Sequence, residues 1–383
     1  MATFTLSGKH LDFNTLSKVF QEKQTLALPA EVTASRQTAP ADVELPALER
    51  SRAYLEAQVV TYGPETEEKI TRLALLLLIH SQLQQVGPVA ATAGTLQRLL
   101  AYYNREVYPL VLSFGADTPR LAQLCQPLLL SGRVRFQGYP LKAAEVAEMF
   151  SWQALPLPAP QVQALLARPV FSWAQAADLL MTLQPLVNWF IYFDAVFSQV
   201  LPDSNTELHL SLRELIKYLK EGQQALEQEI NGTSPTLSLH TALANLALTL
   251  QEVIGNLVNL NQVLLAGLEA MVEPPATTTF ALSRELNQLI GLQAPKPVIA
   301  TQETFSTFLI LDTVSRLMAP AQTLVALVFR SFLQADAISG DFLESSTLRV
   351  YQQAGLFVPE ETVNDQLEKI ADFIKTHIPV GAA

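Results

Sequence analysis

The stretch LSLHTALANLALTLQEVIGNLVNLNQVLLAGLEAMV, residues 237–272, decides the fold class. It holds no proline, and across it Glu252 and Glu269 are the charges. Leucine, alanine and valine recur at three- and four-residue intervals, so one helix is expected along its whole length. A helix with so little charge needs apolar cover on most sides, and the stretch predicts a place deep in a bundle. The segment Phe305 to Phe332 has the same character, with Asp312, Arg316 and Arg330 as its charges and a break expected at Pro320. Outward from these, segments near 161–200, 208–230 and 361–378 also read as helices. The predicted class is all-α, a long-helix bundle.

The first third is more broken. Phe4-Thr5-Leu6-Ser7-Gly8 predicts a short strand and turn, followed by a helix from Asp12 to Gln21 capped by Asp12 or Asn14. Residues 25–47, with Pro29, Pro40 and Pro46, read as loop, and helix resumes over Leu48 to Val60. Pro64 suits the first turn of a helix, with Glu65, Glu67 and Glu68 at its positive end. A further helix spans Ala91 to Val107. Arg133 to Gly138 alternates and turns, as a short hairpin does. The prolines between Ala154 and Pro160 mark a linker, giving an N-terminal region over 1–155 and a long-helix region over 156–383.

Composition bounds the function. Hydrophobic residues make up 49% and charged residues 16%, against a usual charged share of roughly 25%. That deficit predicts helices buried on most sides or a large protein interface, and hence an oligomer. A net charge of −11 and a pI near 5.0 argue against binding nucleic acid or an anionic membrane. The only cysteine, Cys125, is expected to be a small buried hydrophobe, and it rules out an internal disulfide and a cysteine-based zinc site. His10, His80, His209, His240 and His377 are never in ligand spacing, so no metal site is expected. Asn231-Gly232-Thr233 fits a glycosylation pattern, which has meaning only after secretion, and no signal peptide is visible. Leu179 to Phe197 is apolar but interrupted by Gln184, Pro185, Asn188 and Asp194, and reads as a core helix in a cytoplasmic protein.

Function enters with Leu99-Leu100-Ala101-Tyr102-Tyr103-Asn104-Arg105-Glu106-Val107-Tyr108-Pro109. This run resembles the helix end that leads into the active-site loop of the histidine and phenylalanine ammonia-lyases. In that family the loop reads Gly-Ser-x-Gly-Ala-Ser-Gly-Asp-Leu-x-Pro-Leu-Ala-His. Here Leu112-Ser113-Phe114-Gly115-Ala116-Asp117-Thr118-Pro119-Arg120-Leu121-Ala122-Gln123 stands in its place. Gly132 to Gly138 and Leu141 to Val146 resemble the hairpin and helix that follow. Thr301-Gln302-Glu303-Thr304-Phe305-Ser306 resembles the start of a long helix, and residues 348–378 the C-terminal end. The resemblance implies a long-helix lyase bundle with a small N-terminal strand and hairpin element, in a shorter chain than its relatives.

The family's chemistry, as the resemblance implies it, uses a methylidene-imidazolone formed by cyclisation of Ala-Ser-Gly with loss of two waters. The serine supplies the methylene, and the glycine nitrogen must close on the alanine carbonyl. In this chain Ala116 is followed by Asp117 and Thr118, and aligning Asp117 with the family's later aspartate deletes Ser-Gly instead. Either way the loop Gly115, Ala116, Asp117, Thr118 lacks both residues, and no cofactor is expected. Tyr62-Gly63 resembles the start of the family's catalytic-tyrosine loop, but its glycine-rich remainder is absent. Ala167-Arg168-Pro169 stands where Asn-Gly-Thr is expected, and Leu237-Ser238-Leu239-His240 where the substrate-gripping arginine is expected. Tyr62, Asp117 and Glu303 remain as vestigial catalytic candidates, weighed against a loop tyrosine, a turn or cap residue and a dipole-favoured helix-start glutamate. The resemblance implies a pseudoenzyme that scaffolds a homo-oligomer or a hetero-oligomer with a lyase paralogue. An altered-chemistry enzyme is the alternative, with those three residues as acids and bases, and a helical protein binding a small apolar ligand a third.

Overall fold

The computed structural model describes residues 2–35, 45–59, 61–86, 90–201, 206–233, 238–271, 303–339 and 363–376. Residues 36–44 of the expected 25–47 loop and the family-like residues 301–302 and 348–362 lie outside them. Chain contacts divide the protein into two compact units, residues 1–178 with 223–236, and residues 179–222 with 237–383.

In the first unit, β1 (Thr3–Thr5) pairs in parallel with β2 (Thr25–Ala27). Between them lies α1 (Phe13–Gln21), whose N-cap is Asp12: its carboxylate accepts from Thr15 N at 2.8 Å. The region read as loop from residue 25 therefore holds a strand, and also α2 (Ala30–Ser35). After α3 (Leu45–Gln58) comes β3 (Tyr62–Glu65). Pro64 is thus in a strand rather than a first helical turn, and α4 (Glu68–Gln84) starts later, with Glu67 at its N-cap. Helix α4 is buried through every residue from Ile70 to Leu83, which is why its Leu73 to Ile79 run has no polar interruption. It packs against α5 (Ala93–Asn104). Arg72, near the start of α4, lies between the rings of Phe20 and Tyr103.

The chain continues through β4 (Tyr108–Pro109), β5 (Leu112–Phe114), α6 (Asp117–Cys125) and a short 3-10 turn over Gln126–Leu129. The expected hairpin is β6 (Arg133–Phe136) with β7 (Tyr139–Lys142), joined by Gln137 and Gly138 at φ 51° and 82°. Two consecutive positive φ angles match the right-handed twist of the strands they join. With β4 these strands form a three-stranded sheet in the order β4-β6-β7. Helices α7 (Ala143–Met149) and α8 (Ala159–Leu166) follow, and Ala167-Arg168-Pro169 separates α8 from α9 (Val170–Val200).

Two of the three unit boundaries fall inside α9 and α10 (Thr206–Ile230), and the third follows residue 236. The second unit is helical among its described residues, with α11 (Leu239–Met271), α12 (Glu303–Ser339) and α13 (Val363–Thr376) beside parts of α9 and α10. α12 runs through Pro320 without the expected break, and α9 through Pro185. A proline removes one backbone bond, at a cost of ~3 kcal/mol. Trp189 and Phe193 of α9 meet Phe329 and Phe332 of α12 at ring separations of 5.4 and 5.6 Å. Each buried aromatic contributes about 1.5–3 kcal/mol, so cover of this kind outweighs one lost bond. α11 packs along α12. Within the unit it keeps an exposed stripe of Thr241, Leu248, Glu252, Asn259, Val263, Ala266 and Gly267, so it is less enclosed than its composition predicts.

Among the described residues, the stretch 159–200 is long and apolar enough to cross a membrane by length and composition, and 61% of its window is buried within the protein.

Candidate functional site

The sequence candidates Tyr62 and the loop Gly115 to Thr118 come together through a two-stranded ribbon. β3 and β5 run antiparallel, with Tyr62 opposite Phe114 and Glu65 opposite Leu112. The Tyr62 and Phe114 rings lie 5.5 Å apart, tilted by 46°. Gly63 makes this contact possible, because a Cβ there would sit 2.2 Å from the Phe114 ring, at φ +93°. The ribbon is tied at both ends. Gln123 Oε1 accepts from Leu112 N and from Thr61 Oγ1, both at 3.0 Å, while Ser113 Oγ donates to the Pro64 carbonyl at 3.0 Å. Tyr62 itself is 68% exposed.

Beyond Phe114 the chain turns into α6 rather than making a loop. Ala116 is the N-cap, with φ −68° and ψ 168°, and its carbonyl accepts from Arg120 N at 3.4 Å. Asp117 and Thr118 are therefore helical, and Asp117 is not the cap of the helix that follows it. No side chain caps α6. Asp117 instead caps a different helix. Its carboxylate accepts from Ser172 N at 2.9 Å and also from Ser172 Oγ, so it satisfies a free N–H in the first turn of α9.

Arg120, one turn after Asp117, is 1% exposed. Its guanidinium lies 4.2 Å from the centroid of Phe171, and Nη1 donates to Gln175 Oε1 at 3.1 Å. Burial pulls its pKa down to about 10, with the Asp117 charge opposing. The arginine is still protonated at neutral pH. Cys125 closes α6, fully buried, and burial pushes its thiol up to about 12, so it behaves as the inert hydrophobe expected.

Ion pairs flank the ribbon. Arg135 of β6 binds Glu65, and its Nε lies 3.3 Å from Glu68. Lys69 Nζ lies 3.0 Å from Asp178 and 3.3 Å from Glu67. Burial lowers the affinity of Lys69 for its proton, but the Asp178 bond and the two nearby carboxylates outweigh it, and its pKa is raised.

Glu303 opens α12 in the second unit, and its side chain lies outside the described residues. At the position compared with the substrate-gripping arginine, Ser238 accepts from Thr241 N at 3.3 Å, an N-cap bond for α11. Asn231, in the glycosylation pattern, has its amide committed: Nδ2 donates to Leu11 O and Glu227 O, and Oδ1 accepts from Leu11 N. That leaves no free amide for a sugar. Among the described residues no group of three or more His, Cys, Asp or Glu side chains converges as a metal site does. Sequence reasoning passed over Arg120, Gln123, Ser172 and Gln175. An arginine inside the apolar face of α6 was the one available signal.

A family model described as aromatic amino acid lyase matches residues 34–232. Histidine ammonia-lyase of Shewanella oneidensis is 30% identical over 158 residues, covering 40% of this chain and 30% of that protein. The match thus spans under a third of that relative's length. Among solved structures, a tyrosine aminomutase mutant with bound ligand superposes with a TM-score of 0.74 at 14% identity, over 98% of this chain and 97% of that one. Histidine ammonia-lyase from Trypanosoma cruzi gives 0.73 at 14% identity, over 98% and 94%. Identities this low speak for the fold alone, which is the helical one expected. With the family model matched across half of the sequence, the chain belongs to the aromatic amino acid lyase family.

Proposed function

We propose that this protein is a catalytically degenerate aromatic amino acid lyase that acts as a scaffold, assembling with itself or with an intact lyase paralogue. The observation that carries this reading is the engagement of Asp117 with Ser172. The methylidene-imidazolone does not fit the residues present. Asp117 has no hydroxyl to lose as water, and its carboxylate is committed to α9. The nitrogen that would have to close the ring belongs to Thr118, and the Ala116 carbonyl it would attack is already the first acceptor of α6. Assembly is supported by the exposed stripe of α11, a helix of 33 residues whose charges are Glu252 and Glu269. A soluble, cytoplasmic setting accords with the mostly buried apolar stretch over 159–200.

The test is threefold on one preparation. Intact mass equal to the unmodified chain, no deaminated acid from histidine, phenylalanine or tyrosine, and a particle mass above one chain are expected. A mass short by two waters, or turnover of any of the three amino acids, overturns the pseudoenzyme reading. A monomeric mass together with no second lyase recovered from the native host overturns the scaffold role.

A second reading, a lyase-fold enzyme with altered chemistry on an aromatic amino acid or related small substrate, draws on the exposure of Tyr62 beside the loop. It requires that Tyr62→Phe abolish whatever turnover is found.

A further inference from the structure

Arg120 is buried with one side of its guanidinium unused. Nη1 is taken by Gln175, and the flat face rests on Phe171. Nε and Nη2 have no hydrogen-bond partner among the described residues. These two nitrogens share an edge and send parallel N–H bonds the same way, the fork that clasps two oxygens of a carboxylate or a phosphate. Asp117 is the carboxylate whose charge Arg120 feels, but both its oxygens already serve Ser172. A buried cation left with two open donors calls for an anion. The setting adds to that demand, because Phe171 and Gln175 lie in the first two turns of the 31-residue helix α9, whose positive end favours negative charge.

We propose that the Nε/Nη2 edge of Arg120 holds a small oxyanion, carboxylate or phosphate, beside the N-terminal turn of α9. This does not depend on whether the chain is catalytic or a scaffold. The oxyanion replaces the missing second acceptor for the fork and offsets the charge, so its binding stabilises the folded chain by mass action.

The experiment follows thermal unfolding of the full chain in sodium formate, sodium phosphate and sodium chloride at matched ionic strength. A melting temperature that rises saturably with formate or phosphate, but not with chloride, is expected. A response to formate alone identifies a carboxylate, and to phosphate alone a phosphate. Arg120→Lys keeps the charge and loses the fork, and is expected to weaken half-saturation by about tenfold or more. Gln175→Glu sets a carboxylate against the same guanidinium, and is expected to suppress the response with the fold intact. Formate and phosphate behaving like chloride overturns the proposal. So does a response undiminished in both variants, which locates the effect elsewhere.

Discussion

Removing the Asp117 carboxylate should loosen the start of α9. In Asp117→Ala, Ser172 N and Oγ lose their acceptor. A lost N-cap costs about 0.5–2 kcal/mol, and hydrogen bonds to charged groups contribute about 1.5–3 kcal/mol each. The two bonds share one half-buried carboxylate and water can partly replace it, so the terms do not add. Arg120 also loses the nearby negative charge that offsets its burial. The expected total is about 2–3 kcal/mol. For a unit of this size that lowers the melting temperature by about 5–10 °C. Asp117→Asn keeps an acceptor for Ser172 N and should fall between. The assay is thermal and urea unfolding by circular dichroism, with Ser172→Ala and the double variant completing a cycle. A coupling of about 1 kcal/mol between the two positions is expected, reporting the hydroxyl bond. If Asp117→Ala melts within about 1 °C of the parent, the cap assignment is refuted, and additive losses refute the hydroxyl bond.

Gly63→Ala places a Cβ into the Phe114 ring and forces a residue at φ +93°, so the β3–β5 ribbon should open, read as faster proteolysis between residues 59 and 67 with the helical signal unchanged. His80 is buried in α4, and burial holds its pKa down at about 4 against a bond to Asn231 Oδ1 that raises it. The unfolded chain takes up a proton near pH 6.5 that the folded chain refuses, so stability is full above about 6.5 and falls as pH drops toward 4, by about 3 kcal/mol. His80→Gln should flatten that slope, checked by urea midpoints at pH 7 and pH 4.5. Leu248→Glu with Val263→Glu charges the exposed stripe of α11, and should lower the particle mass without lowering the melting temperature of the isolated chain, read by light scattering.

The long helices were legible because their evidence is local. Each apolar position of α11 follows from a three- or four-residue interval, and no partner has to be known for the helix to be read. Helix α1 and its Asp12 cap, and the β6–β7 hairpin with its two-residue turn, are local in the same sense. A short strand near Phe4 was legible, but β2 and its parallel pairing with β1 were missed, because three residues are too few for an alternating pattern and the pairing joins positions 22 apart. Pro320 misled for a related reason. It is a local breaker, but the aromatic packing between α9 and α12 that overrides it is not visible from residue 320.

The same distinction separates the two readings of Asp117. On local evidence it is a turn or cap residue for the helix that follows it, since aspartate favours that place. Its actual bond spans 55 residues and ends on a different helix. What singles it out is Arg120, whose burial requires something nearby to offset a charge that sequence alone does not reveal as buried. Asp117 offsets part of it from one turn away while its oxygens bind Ser172, so one side chain orders the start of α9 and lowers the cost of burying the arginine. The two roles pull on the same carboxylate, and rotating it toward the Arg120 fork would strip the cap from α9. The cap and the charge are therefore coupled: Asp117→Asn should preserve more of the first than of the second, and the excess loss should disappear when Arg120 is replaced by an apolar residue of similar volume.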